Sequence, residues 1–350
     1  MIGQGNNEGM YSYLAFGRQT ALSAFITAPS AVLEFMSAGL KGNQGKKTIE
    51  QVERRRVHAK RVPMGKVIEG EVEGYFFPDN TACAWIMQNA FGGAITSATT
   101  TGESAGGDAF THTQKIGNVL EQTYSALTIL ARKGDSLTGK TFRYDGMRVG
   151  EWGLSAELDD ALKFTTSFMG RDFTGGATDN VANLTTAAWE CLNFIDGRIS
   201  VEGTAASLTS SSYWHVQSMN FAVGNSLKSG NESRRIGSDL LDVLPPGMAS
   251  PSLNVTMRFD TTTAIDAMRD NSTLAAEFEF QGPTMTGSNQ RIGLKIDMPK
   301  IAIEDAGDPE IGGPDEQLVS EVSFTIYHDD SSAGGYSVKS ELTNLIANYN

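Results

Sequence analysis

Apolar and polar residues alternate through Val67-Ile68-Glu69-Gly70-Glu71-Val72-Glu73-Gly74-Tyr75-Phe76. Successive side chains of a strand point to opposite faces, so Ile68, Val72 and Phe76 share one face and Glu69, Glu71 and Glu73 the other. A second alternating run, Ser252 to Asp260, turns Leu253, Val255, Met257 and Phe259 inward and Asn254, Thr256 and Arg258 outward. Each run leads into a helical pattern behind a capping type of residue. Asn80 precedes residues 81–91, and Thr262 or Thr263 precedes the second pattern, which ends at Met268. Each half is therefore predicted to carry one short helix packed on a sheet.

The order around these runs occurs twice. An extended apolar stretch at 33–40 leads into a long loop containing Arg54, Arg55 and Arg56, then the first strand and helix. A similar stretch at 216–221 leads into a loop containing Arg234 and Arg235, then the second strand and helix. The closing strands also correspond: 124–132 with 274–280, 141–152 with 293–304, and 162–168 with 322–327. The match is one of pattern, not of identity. A repeated β-rich unit lets one chain supply two equivalent places in a symmetric assembly. The expected organisation is a first domain at 1–175 with a basic loop at 41–62, a connector at 176–212, and a second domain at 213–350. The fold class is mainly β with a few short helices, in two tandem β-rich units.

The 350 residues suffice for two domains, and 40% hydrophobic with 20% charged content is that of a folded chain. Net charge is -13, unevenly placed. Residues 1–175 hold 18 basic and 18 acidic side chains, and residues 176–350 hold 10 and 23. The first half reaches neutrality through 41–61, where eight Lys and Arg face only Glu50 and Glu53. An acidic surface repels nucleic acid. The basic segment has no interleaved aromatic residues for stacking bases, so docking onto an acidic copy of the same chain is its better use. No signal peptide or membrane-spanning run is expected. Cys83 and Cys191 are expected to be reduced thiols.

Candidate chemistry is thin. Gly102-Glu103-Ser104-Ala105-Gly106 fits the nucleophile elbow of α/β-hydrolases, but its flanks read as a polar loop where a strand and a long helix are needed. A Ser104–Asp297–His328 arrangement is only one choice among many acids. The acidic tract at 304–316 lacks the ligand spacing of a calcium loop. The four histidines form no metal-ligand spacing, and no cofactor motif is present. Catalytic, cofactor-binding and metal-binding residues are all expected to be absent.

Ser12-Tyr13-Leu14-Ala15-Phe16-Gly17-Arg18-Gln19-Thr20 resembles the start of tail tube proteins of long-tailed, non-contractile bacteriophages. So does Pro29-Ser30-Ala31-Val32-Leu33-Glu34-Phe35-Met36-Ser37-Ala38-Gly39-Leu40. In that family an L-E-F-x-S-x-x-L strand precedes an arginine-bearing loop and then a G-x-V-x-G strand. Arg54-Arg55-Arg56 and Glu69-Gly70-Glu71-Val72-Glu73-Gly74 stand in those places, with Gly92-Gly93 ending the following helix. The resemblance covers 12–93 and, as a second copy, 214–330.

It implies a structural virion protein of the phage tail, made and assembled in the host cytoplasm, with no enzymatic activity. Tube domains of that family are β-sandwiches with one helix, so two tandem β-sandwich domains are implied here. Six such domains form a ring whose inner sheets join a continuous β-barrel, and a long loop reaches the neighbouring ring. This chain carries two such domains, so trimeric, pseudo-hexameric rings are expected. Glu69, Glu71 and Glu73 are the expected lumen-facing residues. Lys46, Lys47, Arg54, Arg55, Arg56, Lys60 and Arg61 are expected in the stacking loop. The implied partners are the chain itself, a tape-measure protein, and tail terminator and tail-tip proteins, with DNA passing through without specific binding and no membrane. The alternatives are another structural β protein (a tail terminator, a decoration protein or a secretion-system tube) and a serine hydrolase using Ser104.

Overall fold

Chains of alternating apolar and polar residues bury one face by pairing into sheets and packing them together. The computed structural model describes residues 12–49, 61–100, 109–117, 125–134, 140–181, 190–203, 214–259, 263–307, 318–331 and 335–349. In chain order the elements are β1 (Tyr13–Gln19), β2 (Ala31–Leu33), β3 (Ser37–Ala38), β4 (Lys41–Thr48), β5 (Arg61–Tyr75), α1 (Thr81–Phe91), β6 (Thr96–Thr99), β7 (Phe110–Ile116), β8 (Ala126–Lys133), β9 (Lys140–Glu157), β10 (Lys163–Gly170) and β11 (Asp172–Gly175). There follow β12 (Gly197–Glu202), β13 (Val216–Gly224), β14 (Ser250–Arg258), α2 (Thr263–Arg269), β15 (Leu274–Thr284), β16 (Arg291–Ala306), β17 (Val319–Ile326) and β18 (Val338–Asn344). The protein is mainly β, and pairing among these strands is antiparallel.

One sheet runs through both halves in the order β3–β5–β10–β9–β13–β14–β17–β16. A single row of facing residues crosses all eight strands: Ser37, Glu73, Thr165, Gly153, Ala222, Ser252, Thr325 and Ala302. The halves meet where β9 pairs with β13, from Glu157 opposite Ser218 to Glu151 opposite Gly224. The second layer is built from the beginnings of the two longest strands. The first part of β9 pairs with β8 and β11, and β8 with β1. The first part of β16 pairs with β15 and β18, and β15 with β12. β12 and the 3-10 turn at Phe194–Asp196 lie inside the stretch read from sequence as a connector.

The core between the layers is aromatic. Trp152 lies edge-on to Phe76, Phe91 and Phe221, and Phe221 to Phe278, so packed rings run from one half into the other. Helix α1 is buried from Ala82 to Phe91, and its ends follow from local chemistry. The Asn80 side chain accepts hydrogen bonds from the amides of Ala82 (2.7 Å) and Cys83 (3.3 Å). Gly92, at φ 76°, closes the other end, with its N–H donating to the Gln88 carbonyl. The chain's last strand returns to the first half: β18 pairs with β7, and His112 Nε2 lies 3.1 Å from Asn344 Oδ1. No helix among the described residues is long and apolar enough to cross a membrane.

Asp79 sits just before α1 with its Oδ1 buried and without a hydrogen-bond partner. Burial pushes its carboxyl up to about 6 from an ordinary aspartate near 3.8. The folded chain therefore holds a proton that the unfolded chain releases. Stability falls as pH rises from about 4 to 6, and the loss persists above that window. Asp79→Asn is expected to flatten this slope and to raise the melting temperature at neutral pH. Parallel melting curves for the two proteins across pH 4–7 would disprove the assignment.

Candidate assembly surfaces

The continuous sheet has one buried and one solvent-exposed face, set by the alternation of its strands. Ile68, Val72, Trp152, Leu154, Phe164, Phe168, Phe221, Val223, Leu253, Val255, Val322 and Phe324 fill the core side. On the other side Glu69 and Glu71 are exposed and Glu73 is half-buried. Their neighbours are mostly small or polar: Ser167 opposite Glu71, and Thr165 and Ser37 opposite Glu73, with Met169 opposite Glu69. Glu151, Asn220, Asn254 and Glu321 continue this exposed face onto the later strands. The surface is thus a small-residue, polar face with an excess of carboxylates. Glu69 lies 3.2 Å from Lys41 in an exposed pair, and Ser37 Oγ donates to Glu73 at 3.4 Å.

The basic segment expected as a loop is, in its described part, an extended hairpin. β4 pairs with β5 from Lys41 opposite Glu69 to Thr48 opposite Arg61. Strand alternation is invisible in Lys41-Gly42-Asn43-Gln44-Gly45-Lys46-Lys47 because no apolar face is present to bury. Backbone pairing with an over-long β5 makes it a strand. Lys46, Lys47 and Arg61 are exposed there, beside exposed Val62 and Met64. Arg54, Arg55, Arg56 and Lys60 lie outside the described residues.

The hairpin root is held firmly. Lys66 Nζ lies 2.5 Å from Asp172, and the Lys66 amide donates to the Asp239 carbonyl at 2.8 Å. Arg234 donates through Nη2 to the Lys66 carbonyl and through Nη1 to that of Asp239. Residues 225–249, between β13 and β14, are therefore folded against the root of the first-half hairpin. Arg171 Nε and Arg148 Nη1 hold the same segment by the carbonyls of Leu241 (2.8 Å) and Leu244 (2.6 Å). Nothing in the pattern of 225–249 announced this, because the contacts are made by backbone carbonyls.

The sheet also has two ends without a neighbour. Among the described residues, β3 pairs only with β5, and the last part of β16, residues 302–306, pairs only with β17. Beside the first edge is a cleft of about 560 Å³ lined by Leu14, Phe35, Met36, Leu40, Ala131 and Phe142. Met36 is half exposed there, at 51%. Of the extended apolar stretch at 33–40, only Leu33, the end of β2, and Ser37–Ala38 are strand.

The sequence-level hydrolase candidates do not converge on a site. Asp297 is buried and accepts a hydrogen bond from Tyr336 Oη at 2.6 Å, with Lys339 at 3.4 Å. His328 faces Asp330 at 3.2 Å. Ser104 lies outside the described residues, as does much of the acidic tract, residues 308–317. No group of three or more His, Cys, Asp and Glu able to hold a metal ion occurs among the described residues.

A polar sheet face, two sheet edges unpaired among the described residues and a basic hairpin are the surfaces that this β protein presents. The family profile described as phage tail tube protein matches residues 12–326, and the chain belongs to that family. The family is structural and not enzymatic, which makes the protein a component of the virion. Among solved structures the chain is similar to a crystal structure of Hcp protein, at 12% identity and a TM-score of 0.25, covering 42% of this chain and 97% of that one. No curated protein matches significantly.

Proposed function

We propose that three chains join head to tail into a pseudo-hexameric ring, and that stacked rings form the tail tube through which the genome is delivered. The observation that carries this is the pairing of β9 with β13. It joins the end of one four-strand set, β3–β5–β10–β9, to the start of another, β13–β14–β17–β16. Each set is followed through the same kinds of partner: a helix after the second strand, and a second-layer strand beside the first part of the long one. We read the sets as duplicated tube domains. The free edge of β16 then meets residues 34–40 of a second copy as β9 meets β13, and repetition around a ring leaves no sheet edge open.

In this reading the polar sheet face lines the lumen. Glu69, Glu71 and Glu73 repel DNA phosphates there, so the genome slides without specific binding. The hairpin bearing Lys46, Lys47, Arg54, Arg55, Arg56, Lys60 and Arg61 reaches the next ring. A tape-measure protein occupies the lumen before DNA, tail terminator and tip proteins close the two ends, and assembly takes place in the host cytoplasm of a phage with a long, non-contractile tail.

Electron microscopy of the concentrated protein tests the proposal. Hollow rings or tubes with three chains per ring are expected, with Glu69, Glu71 and Glu73 on the inner wall. Particles that stay monomeric at every concentration, or a map with those glutamates on the outside, would rule it out. Arg54→Glu with Arg55→Glu is expected to leave rings intact and to reduce stacking by roughly tenfold or more; tubes of normal length would refute the docking role.

A further inference from the structure

We propose that residues 225–249 form an apolar platform that seats on the opposite end of the sheet in a second copy of this chain, in the adjacent ring. The inference rests on the ring reading above and names a stacking contact distinct from the basic hairpin. Strand direction separates the two ends of the sheet. β13 ends and β14 begins beside 225–249, at Gly224 opposite Ser250, which is also where the hairpin leaves. At the other end lie the β9–β10 turn, the start of β13 and the start of β17, at Val319 opposite Arg258.

Exposed apolar side chains gather at these two ends. On the platform Ile236 is fully exposed, Met248 is 85% exposed and Val243 50%. At the opposite end Leu158 in the turn is 55% exposed and Ile195 85%, with Leu318 and Val319 beside β17. Ile195 adjoins the turn because the Phe194 amide donates to the Asp160 carbonyl at 3.2 Å. Beneath it a groove of about 240 Å³ is lined by Ala156, Phe194, Trp214, Met219 and Phe280. Exposed apolar side chains gathered on a rigid support mark an interaction surface. The platform is anchored: its Leu241 and Leu244 are buried, and their carbonyls accept hydrogen bonds from Arg171 and Arg148.

Charge selects the occupant. The turn end carries Glu157, Asp159, Asp160, Glu304 and Asp305 against exposed Arg258, with Lys163 on Asp160 and Asp196 paired with Arg291. The platform carries Lys228, Arg234 and Arg235 with Glu232, Asp239 and Asp242, and the basic hairpin stands beside it. An acidic end facing a basic-flanked end is complementary head to tail and self-repelling head to head. Each end therefore fits the other end of the same chain. In the first half the segment between the corresponding strands projects as the hairpin, while in the second half it is folded flat. A ring of three chains then presents three hairpins and three platforms in alternation.

Two double variants test this together: Ile236→Asp with Met248→Asp, and Leu158→Asp with Ile195→Asp. All four residues are exposed, so unchanged melting temperatures check folding, and particle mass checks ring formation. Each variant alone is expected to form rings but to lose tubes by at least roughly tenfold. An equal mixture is expected to give pairs of rings and nothing longer, since each variant supplies the end the other lacks. Normal tubes from either variant, or a mixture without ring pairs, would overturn the proposal, including the case in which the platform serves a different protein. Absence of rings from the unmodified chain would instead remove the ring reading, and this inference with it.

Discussion

Replacing Met36 with aspartate is expected to leave the isolated chain folded and to stop it from forming rings. Met36 is half exposed at the open edge, so in the single chain the carboxylate remains in water at little cost. It lines the cleft beside the core residues Leu14 and Ala131, which puts it on the core side of this edge, level with Phe164, Leu154 and Phe221. In the internal junction that side is fully buried, with Phe221 and Leu154 at 0% and 1% exposure. An edge closed in the same way would bury the new carboxylate unpaired, at about 3–5 kcal/mol per junction. It would also forfeit the methionine's burial of about 1.5–3 kcal/mol. The dissociation constant of each junction should rise by more than roughly a hundredfold, read by mass photometry across concentration. Unchanged ring formation with an unchanged melting temperature would show that this edge is not the ring contact.

The second large effect is on stability. Trp152→Ala is expected to destabilise the chain by about 3–5 kcal/mol, with both halves losing structure in one transition. Trp152 is 1% exposed and packs edge-on against Phe76 and Phe91 of the first half and Phe221 of the second, at centroid separations of 6.4, 5.8 and 6.2 Å. Removing it opens a cavity that neither half can close alone, because its walls belong to both. Denaturant unfolding followed by hydrogen exchange would separate the outcomes. Melting of one half with the other still protected would mean that the junction is not a shared core.

Much of this architecture was legible along the chain. Glu69, Glu71 and Glu73 alternate with Ile68, Val72 and Gly70, and the structure separates the charged and apolar sets onto opposite faces. Asn80 and Gly92 mark both ends of α1 because capping is local chemistry, completed within three or four residues. The long closing strands were readable for the same reason: each has a core to face.

The hairpin of β4 and β5, the folded segment 225–249 and the broken strand at 33–40 were not readable. None of the three is set by its own side-chain pattern. β4 is a strand because β5 outruns the sheet. Residues 225–249 take their shape from carbonyls gripped by Arg148, Arg171 and Arg234, which are distant in sequence or silent about their targets. Residues 33–40 pair with β5 only at Ser37 and Ala38, a limit that the apolar pattern does not record.

By itself, then, the sequence determined the faces of the strands, the helix ends and the placement of charge, since each depends on residues close together in the chain. Only the tertiary structure decided that β9 meets β13, which edges stay open and which apolar residues remain exposed at the two ends. Those are properties of strand neighbours, and backbone pairing between distant segments leaves little trace in the side chains of either partner.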